Sequence, residues 1–344
     1  MSIPYRTRQA LRHAFSIALI VALVAALVWL VWLLWLNRFV VYTRDGVKLD
    51  FGIDQQIPEG EAALPPTEGP GVDIYYNEGE NAIDPVTTEL KQLVGYSISA
   101  DMLKTDISAL CAQVEKLPTG TPIMIDMKNI RGDFFYNSSL GKTSGEINAD
   151  DLEAMIKTLR SKGYYLIARL PAFRDYWYGL EHVSHGIYVK NRGSLWLDKT
   201  DKKYPTYWLN PASEGALTYL RDIIFEIRNL GFDEVLFYEF RIPDSDKIYF
   251  EGDKAEAIQA AALMLVKACS SDTFAVSFTG TDATFPLPEG RSRLYLDGVA
   301  AAEAASLAAQ TGLENPDVRL VFLTDLRDTR FDDYGVLRPL LTEE

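Results

Sequence analysis

Gly231-Phe232-Asp233-Glu234-Val235-Leu236-Phe237-Tyr238-Glu239-Phe240-Arg241-Ile242-Pro243 decides the fold. A long amphipathic helical pattern, Ser213 to Leu230, runs into it, and Gly231 sits where such a helix stops. The apolar run that follows ends in charged residues and a proline. That is the outline of a strand carrying polar side chains at its C-terminal tip. In parallel α/β folds, and above all in (β/α)8 barrels, such tips are where chemistry is placed. Glu239 and Arg241 are therefore the first candidates for a site.

The same alternation extends to both sides. Upstream, Leu93 to Ile98, Pro122 to Met127 and Tyr164 to Leu170 read as strands. Ala100 to Leu117 reads as one helix, with Met102, Ile107, Leu110 and Val114 as its apolar stripe. Asp150 to Lys162 reads as another, opened by Asp151 and Glu153 and stopped at Gly163. Downstream, strands are expected at Thr273 to Phe278, Arg293 to Leu296 and Arg319 to Leu323, with helices at Ala255 to Ala268 and Ala300 to Gln310. Alternating strands and helices predict a parallel sheet wrapped by helices. The expected fold class is α/β, a (β/α)8 TIM-like barrel. It is one strand short at its C-terminal end, or is completed by an N-terminal strand such as Val72 to Tyr76. An open doubly wound sheet is the runner-up, but no Gly-rich phosphate loop follows the first strand.

The N-terminus is organised differently. Arg6, Arg8, Arg12 and His13 precede Ala14 to Leu36, an uncharged apolar stretch long enough to cross a bilayer, with Trp29, Trp32 and Trp35 in its distal half. No small-x-small cleavage site follows, so an uncleaved signal anchor is expected. Residues 1–13 would then be cytoplasmic, 14–36 transmembrane, and everything after Asn37 extracytoplasmic. Phe39 to Phe51 reads as a hairpin around Asp45-Gly46. Ile57 to Gly71 reads as a Pro/Gly/Glu-rich stalk, leaving 72–344 for the barrel.

A net charge of −14 argues against a nucleic-acid surface. Cys111 and Cys269 each lie in an apolar helical pattern and read as separate thiols. His182 and His185 would share a helix face, but glycines bracket them and further ligands are lacking; no metal site and no cofactor are expected.

If the strands close into a barrel, their polar ends share one mouth. These are Asp126 and Lys128, Arg169 followed by Arg174 and Asp175, then Tyr238, Glu239 and Arg241, with Asp297 and Asp325 from late strands. The loop from Pro171 to Asn210 adds Tyr176, Trp177, Tyr178, Tyr188, Trp196, Tyr204, Tyr207 and Trp208. Aromatic faces beside carboxylates suit sugar rings. The alternative is a lid that uses those rings as its own small core.

Several stretches resemble the extracytoplasmic "putative glycoside hydrolase" domain family, TIM barrels of the α-amylase-like clan. They are Ile125-Asp126-Met127-Lys128, Tyr165 to Leu170 with Phe173-Arg174-Asp175, and Trp196. Trp208-Leu209-Asn210-Pro211 and Gly231-Phe232-Asp233-Glu234 with Phe237, Arg241 and Pro243 complete the set. The likeness covers Gly95 to Pro243 and fades afterwards. It implies a membrane-anchored, extracytoplasmic, glycoside hydrolase-like protein that acts on or binds cell-surface or cell-wall polysaccharide. Catalytic candidates are Glu239, Asp126 and Asp175. Substrate-binding candidates are Lys128, Arg169, Trp177, Trp196, Trp208, Tyr238 and Arg241. The chain departs from the family where acids are expected: Tyr238 stands on the fourth strand and Ser277 on the fifth. Successive strand residues face opposite ways, so Tyr238 should face the mouth and Glu239 the helices. A second reading is therefore a non-catalytic glycan-binding module, and a third a scaffold for envelope protein partners.

Overall fold

The computed structural model describes residues 90–340 apart from 191–192, 201–203 and 281–282, together with Trp29 and two short N-terminal strands. The chain separates into two units, Met1–Gly79 and Glu80–Glu344. In the first, Val40–Thr43 pairs antiparallel with Gly46–Leu49 in the register a tight hairpin requires. The expected anchor at 14–36, the stalk and the alternative barrel strand Val72 to Tyr76 lie outside the described residues. No described helix is long and apolar enough to cross a membrane.

The second unit is a closed eight-stranded barrel. Its strands are β1 (Val94–Ile98), β2 (Pro122–Asp126), β3 (Tyr165–Pro171), β4 (Glu234–Tyr238), β5 (Ala275–Thr279), β6 (Leu294–Asp297), β7 (Leu320–Leu323) and β8 (Gly335–Pro339). All eight pairings are parallel and follow chain order, with β8 returning to β1 through Val336↔Val94 and Leu337↔Gly95. Closure excludes the open doubly wound sheet. It also corrects the expectation of a missing strand: the eighth is Gly335-Val336-Leu337-Arg338-Pro339, short and flanked by charges. Period-2 reading missed it because only two large apolar residues mark it.

The helices α1 (Ala100–Leu103), α2 (Ile107–Val114), α3 (Ala149–Ser161), α5 (Glu214–Leu230), α6 (Lys254–Cys269), α7 (Ala304–Thr311) and α8 (Pro316–Arg319) surround the strands, and α4 (Tyr176–Glu181) lies in the long loop after β3. The single helix expected at Ala100 to Leu117 is two. The Asp106 side chain accepts from Ala109 N at 3.0 Å and so caps a new helix where the first one ends. Gly231 closes α5 with φ +98°, a left-handed turn that a glycine adopts without strain. Among the described residues no helix joins β5 to β6, and only the 3-10 turn Thr329–Phe331 joins β7 to β8.

Strand alternation divides the barrel cleanly. Val235, Phe237, Val276 and Phe278 face outward into the largest apolar cluster with the helices. Met124, Ile167, Leu236, Tyr295, Val321 and Leu337 fill the interior. Below that layer Glu234, fully buried, is surrounded by donors. Its Oε1 accepts from Ser277 Oγ at 2.5 Å and Tyr295 OH at 2.9 Å, and its Oε2 from Tyr165 OH at 2.9 Å and from Arg293. Ser277 is thus a floor residue tied to Glu234, one layer below the mouth where it was expected.

Candidate functional site at the barrel mouth

Six consecutive strands end on an inward-facing polar residue: Ser97, Asp126, Arg169, Tyr238, Thr279 and Asp297. The first five are half-buried and Asp297 is exposed, whereas the layer beneath is sealed. The C-terminal face of the barrel is therefore open to solvent over a polar ring.

Three of these residues form the centre. Asp126 Oδ1 accepts from Arg169 Nη1 at 3.0 Å, and its Oδ2 accepts from Ala100 N, the first residue of α1, at 3.0 Å. The Arg169 guanidinium lies over the Tyr238 ring, 4.4 Å from its centroid. Burial works against the charge on Arg169, yet Asp126, with a smaller contribution from Asp297, raises its pKa. Burial also pushes the Tyr238 phenol well above the ordinary tyrosine range, and the nearby Arg169 offsets this only in part. The phenol is therefore neutral at physiological pH and suited to hydrogen bonding, not to attack as a phenolate.

Two interior atoms at this level have no hydrogen-bond partner within the protein, Arg169 Nε and Thr279 Oγ1. Tyr238 stands between their strands, since β4 lies between β3 and β5. Buried polar atoms are rarely left unpaired, so a donor and a hydroxyl facing one mouth mark where a polar ligand fits.

Glu239 leaves the barrel. The strand ends at Tyr238, and Glu239 adopts φ +51°, a left-handed conformation uncommon for a residue with a side chain. Its carboxylate is shared by Arg174 Nη1 at 3.1 Å and Arg241 Nε and Nη2, both at 2.9 Å. Both guanidiniums lie over the Trp208 ring, at 5.7 and 4.9 Å. Trp208 is 1% exposed and donates its indole N–H to Asp198 at 2.9 Å, so it supports Arg241 from beneath and offers no face of its own.

Asp175 and Lys128 also lie off the mouth. Both are buried, 2.6 Å apart, and Asp175 accepts further from Tyr219 OH and from Tyr178 N, the latter as the N-cap of α4. Lys128 sits between the rings of Phe134 and Tyr219. A Cβ on Gly132, at φ +91°, would come within 2.1 Å of the Asp175 carboxylate, so the loop after β2 wraps this pair at the distance only a glycine permits. The arrangement locks the loops after β2 and β3 together and uses every oxygen of Asp175 internally. Asp325 is likewise away from the mouth, in a groove along β1 and β8 with Tyr96 and Arg338.

The aromatic loop largely packs on itself. Tyr178 stacks on Tyr219 at 3.8 Å, Tyr176 on Tyr207 at 5.3 Å, and Trp177 donates to Asp133 while Arg131 and Lys142 lie over its ring. Of its tryptophans, Trp196 keeps a half-buried face on a groove beside the β4 tip. His182 and His185 stack at 5.3 Å around a 3-10 turn, with Tyr178 OH 2.9 Å from His185 Nδ1. Among the described residues no group of His, Cys, Asp and Glu could hold a metal ion.

Residues 111–272, from α2 to the end of α6, match the family described as "Putative glycosyl hydrolase domain". This segment is similar to that family. Of the barrel strands it includes β2, β3 and β4, whereas β5 to β8 lie beyond the matched residues. No curated protein matches the chain. Among solved structures, a hypothetical protein from Ruminiclostridium thermocellum is similar at 20% identity, covering 53% of this chain and 96% of its own, with TM-score 0.45. An α-galactosidase from Lactobacillus brevis is similar at 12% identity over 73% of this chain, with TM-score 0.48. An α-galactosidase from Thermus thermophilus, in complex with p-nitrophenyl α-D-galactopyranoside, is similar at 12% identity over 55%, with TM-score 0.41. The matched part spans 38% of each galactosidase. Sequence reasoning placed Asp126, Arg169 and Tyr238 in one mouth, where the glycosyl hydrolase-like domain has them. It missed Thr279, because a lone threonine at the end of an apolar strand gives no signal until its facing is known.

Proposed function

We propose that this chain is a membrane-anchored, extracytoplasmic glycoside hydrolase-like protein that binds cell-surface polysaccharide at the barrel mouth without cleaving it. The observation that carries this reading is the β4 tip: Tyr238 faces the cavity under Arg169, while the neighbouring acid turns away into an arginine pair. Glycoside hydrolysis takes two carboxyl groups flanking the scissile bond. Of the three nominated acids, Asp175 is buried and Glu239 is closed by two guanidiniums. Asp126 alone faces the mouth, and it is bound by Arg169 and a helix amide. Sugar hydroxyls are suitable partners for Arg169 Nε and Thr279 Oγ1. The anchor at 14–36 and the stalk would present this mouth to the envelope.

Hydrolysis has one observation in its favour. Asp297, on β6, faces the same mouth as Asp126 and acts electrostatically on Arg169. The two readings separate when full-length chain in mild detergent is screened for binding and for reducing-end release on a polysaccharide panel. Binding without release supports the proposal. Release abolished by both Asp126→Asn and Asp297→Asn, and untouched by Glu239→Gln, would establish the hydrolase instead. Binding to no glycan defeats both.

A further inference from the structure

Just beyond the β4 tip lies a groove of about 560 Å³ that the mouth does not include, within the ~300–1,000 Å³ typical of small-ligand sites. We propose that it is a subsite for a carboxylate-bearing sugar, a uronic acid unit of the bound polysaccharide. The inference rests on the polysaccharide-binding reading above and specifies its ligand. Arg174, Arg241, Lys199 and Lys247 line the groove, with Trp196 as its aromatic wall.

Charge is the first argument. The two guanidiniums share the single carboxylate of Glu239, and Arg174 also acts electrostatically on Asp198. Lys199 and Lys247, both exposed, line the same groove as Asp198 and Asp244. Asp198 is turned inward: Thr200 N and Oγ1 donate to its Oδ1 and the Trp208 indole to its Oδ2. Among the described residues four cations thus meet three carboxylates, in a chain whose total charge is −14. A strong polyanion would be repelled by the whole molecule. One carboxylate per binding register meets local attraction instead.

Geometry is the second. A guanidinium has five N–H donors in a planar fork. Arg241 directs Nε and Nη2 at Glu239, sits over the Trp208 ring 4.9 Å from its centroid, and remains 40% exposed. It is therefore held by protein and still reachable from the groove. Contacts of this kind hold a guanidinium for carboxylate recognition, where charge adds to the hydrogen bonding that a neutral sugar hydroxyl also receives.

The test is calorimetric titration of the full-length chain with a neutral xylo-oligomer that carries a single glucuronic acid unit and with the same oligomer after carboxyl reduction. The acidic oligomer is expected to bind about tenfold more tightly at low salt, a preference that shrinks as NaCl rises. Arg241→Gln should remove most of the preference. The exposed double variant Lys199→Gln/Lys247→Gln should lower it about threefold. Equal affinity for both oligomers, or a preference intact in both variants, overturns the inference. Binding of the reduced oligomer alone overturns it and leaves the polysaccharide reading standing; binding of neither overturns both.

Discussion

The two ends of the barrel carry polar side chains in opposite states. At the floor, both oxygens of Glu234 are saturated by buried Ser277, Tyr295 and Arg293 and by half-buried Tyr165. At the mouth, Arg169 Nε and Thr279 Oγ1 are buried without a protein partner, and the ring around them is open to solvent. A closed polar network rigidifies a fold, whereas one left open at a cavity costs stability that a ligand can return. The floor is therefore read as architecture and the mouth as function, although both contain arginine, carboxylate and tyrosine.

The largest effect should come from breaking the floor. Glu234→Ala strands a buried Arg293 and is expected to cost about 3–5 kcal/mol in urea denaturation. A cost under about 1 kcal/mol would erase the contrast between the ends. Next, Arg169→Ala at the mouth should lower glycan affinity by roughly ten- to a hundredfold, about 1.4–2.8 kcal/mol, with a smaller loss of folding stability. Thr279→Val sharpens the comparison further. Removing an unpaired hydroxyl should leave stability unchanged or raise it by up to about 1 kcal/mol, while glycan affinity falls several-fold. If stability and affinity fell together, Thr279 would belong with the floor.

The smallest effect concerns the groove wall. Burial opposes ionisation of Asp198, but hydrogen bonds from Thr200 and Trp208, with Arg174 nearby, hold its carboxyl below the usual range. The stabilisation is then complete above the unfolded pKa of ~3.9 and fades as pH falls through the lower folded value. Asp198→Asn should therefore cost about 1 kcal/mol at pH 7, and the difference from wild type should narrow below pH ~4. A difference constant from pH 7 to pH 3 would mean that the Asp198 charge contributes nothing.

Much of the barrel was legible because its parts advertise themselves over short windows. Gly231 after an amphipathic run, and Val235 to Phe237 after that, define a helix–strand unit without any tertiary knowledge. Gly335 to Pro339 did not, since an arginine and a proline dilute a strand that owes its place to neighbours on both sides. The facing of Tyr238 followed from alternation, as its contact with Arg169 bears out. That Glu239 turns away from the mouth followed from the same rule, but its left-handed backbone and the arginine pair that receives it did not, because both belong to the loop beyond the strand. Lys128 and Asp175 looked like mouth residues from their positions after strands. Loops can carry such residues back under the surface, and only long-range contacts such as Tyr219 to Asp175 reveal it.

One feature of the wall changes how the barrel tolerates variation. Between β5 and β6 the described residues form no helix, and Phe285 fills that sector, 5.6 Å from Phe278 and 6.2 Å from Phe240. An amphipathic helix spreads insulation over several side chains, any one of which can be trimmed at modest cost. Here the insulation rests on two side chains of an irregular cord, Phe285 and Leu287, both packed against the apolar clusters. This arc of the cylinder should therefore be intolerant of drift at those two codons.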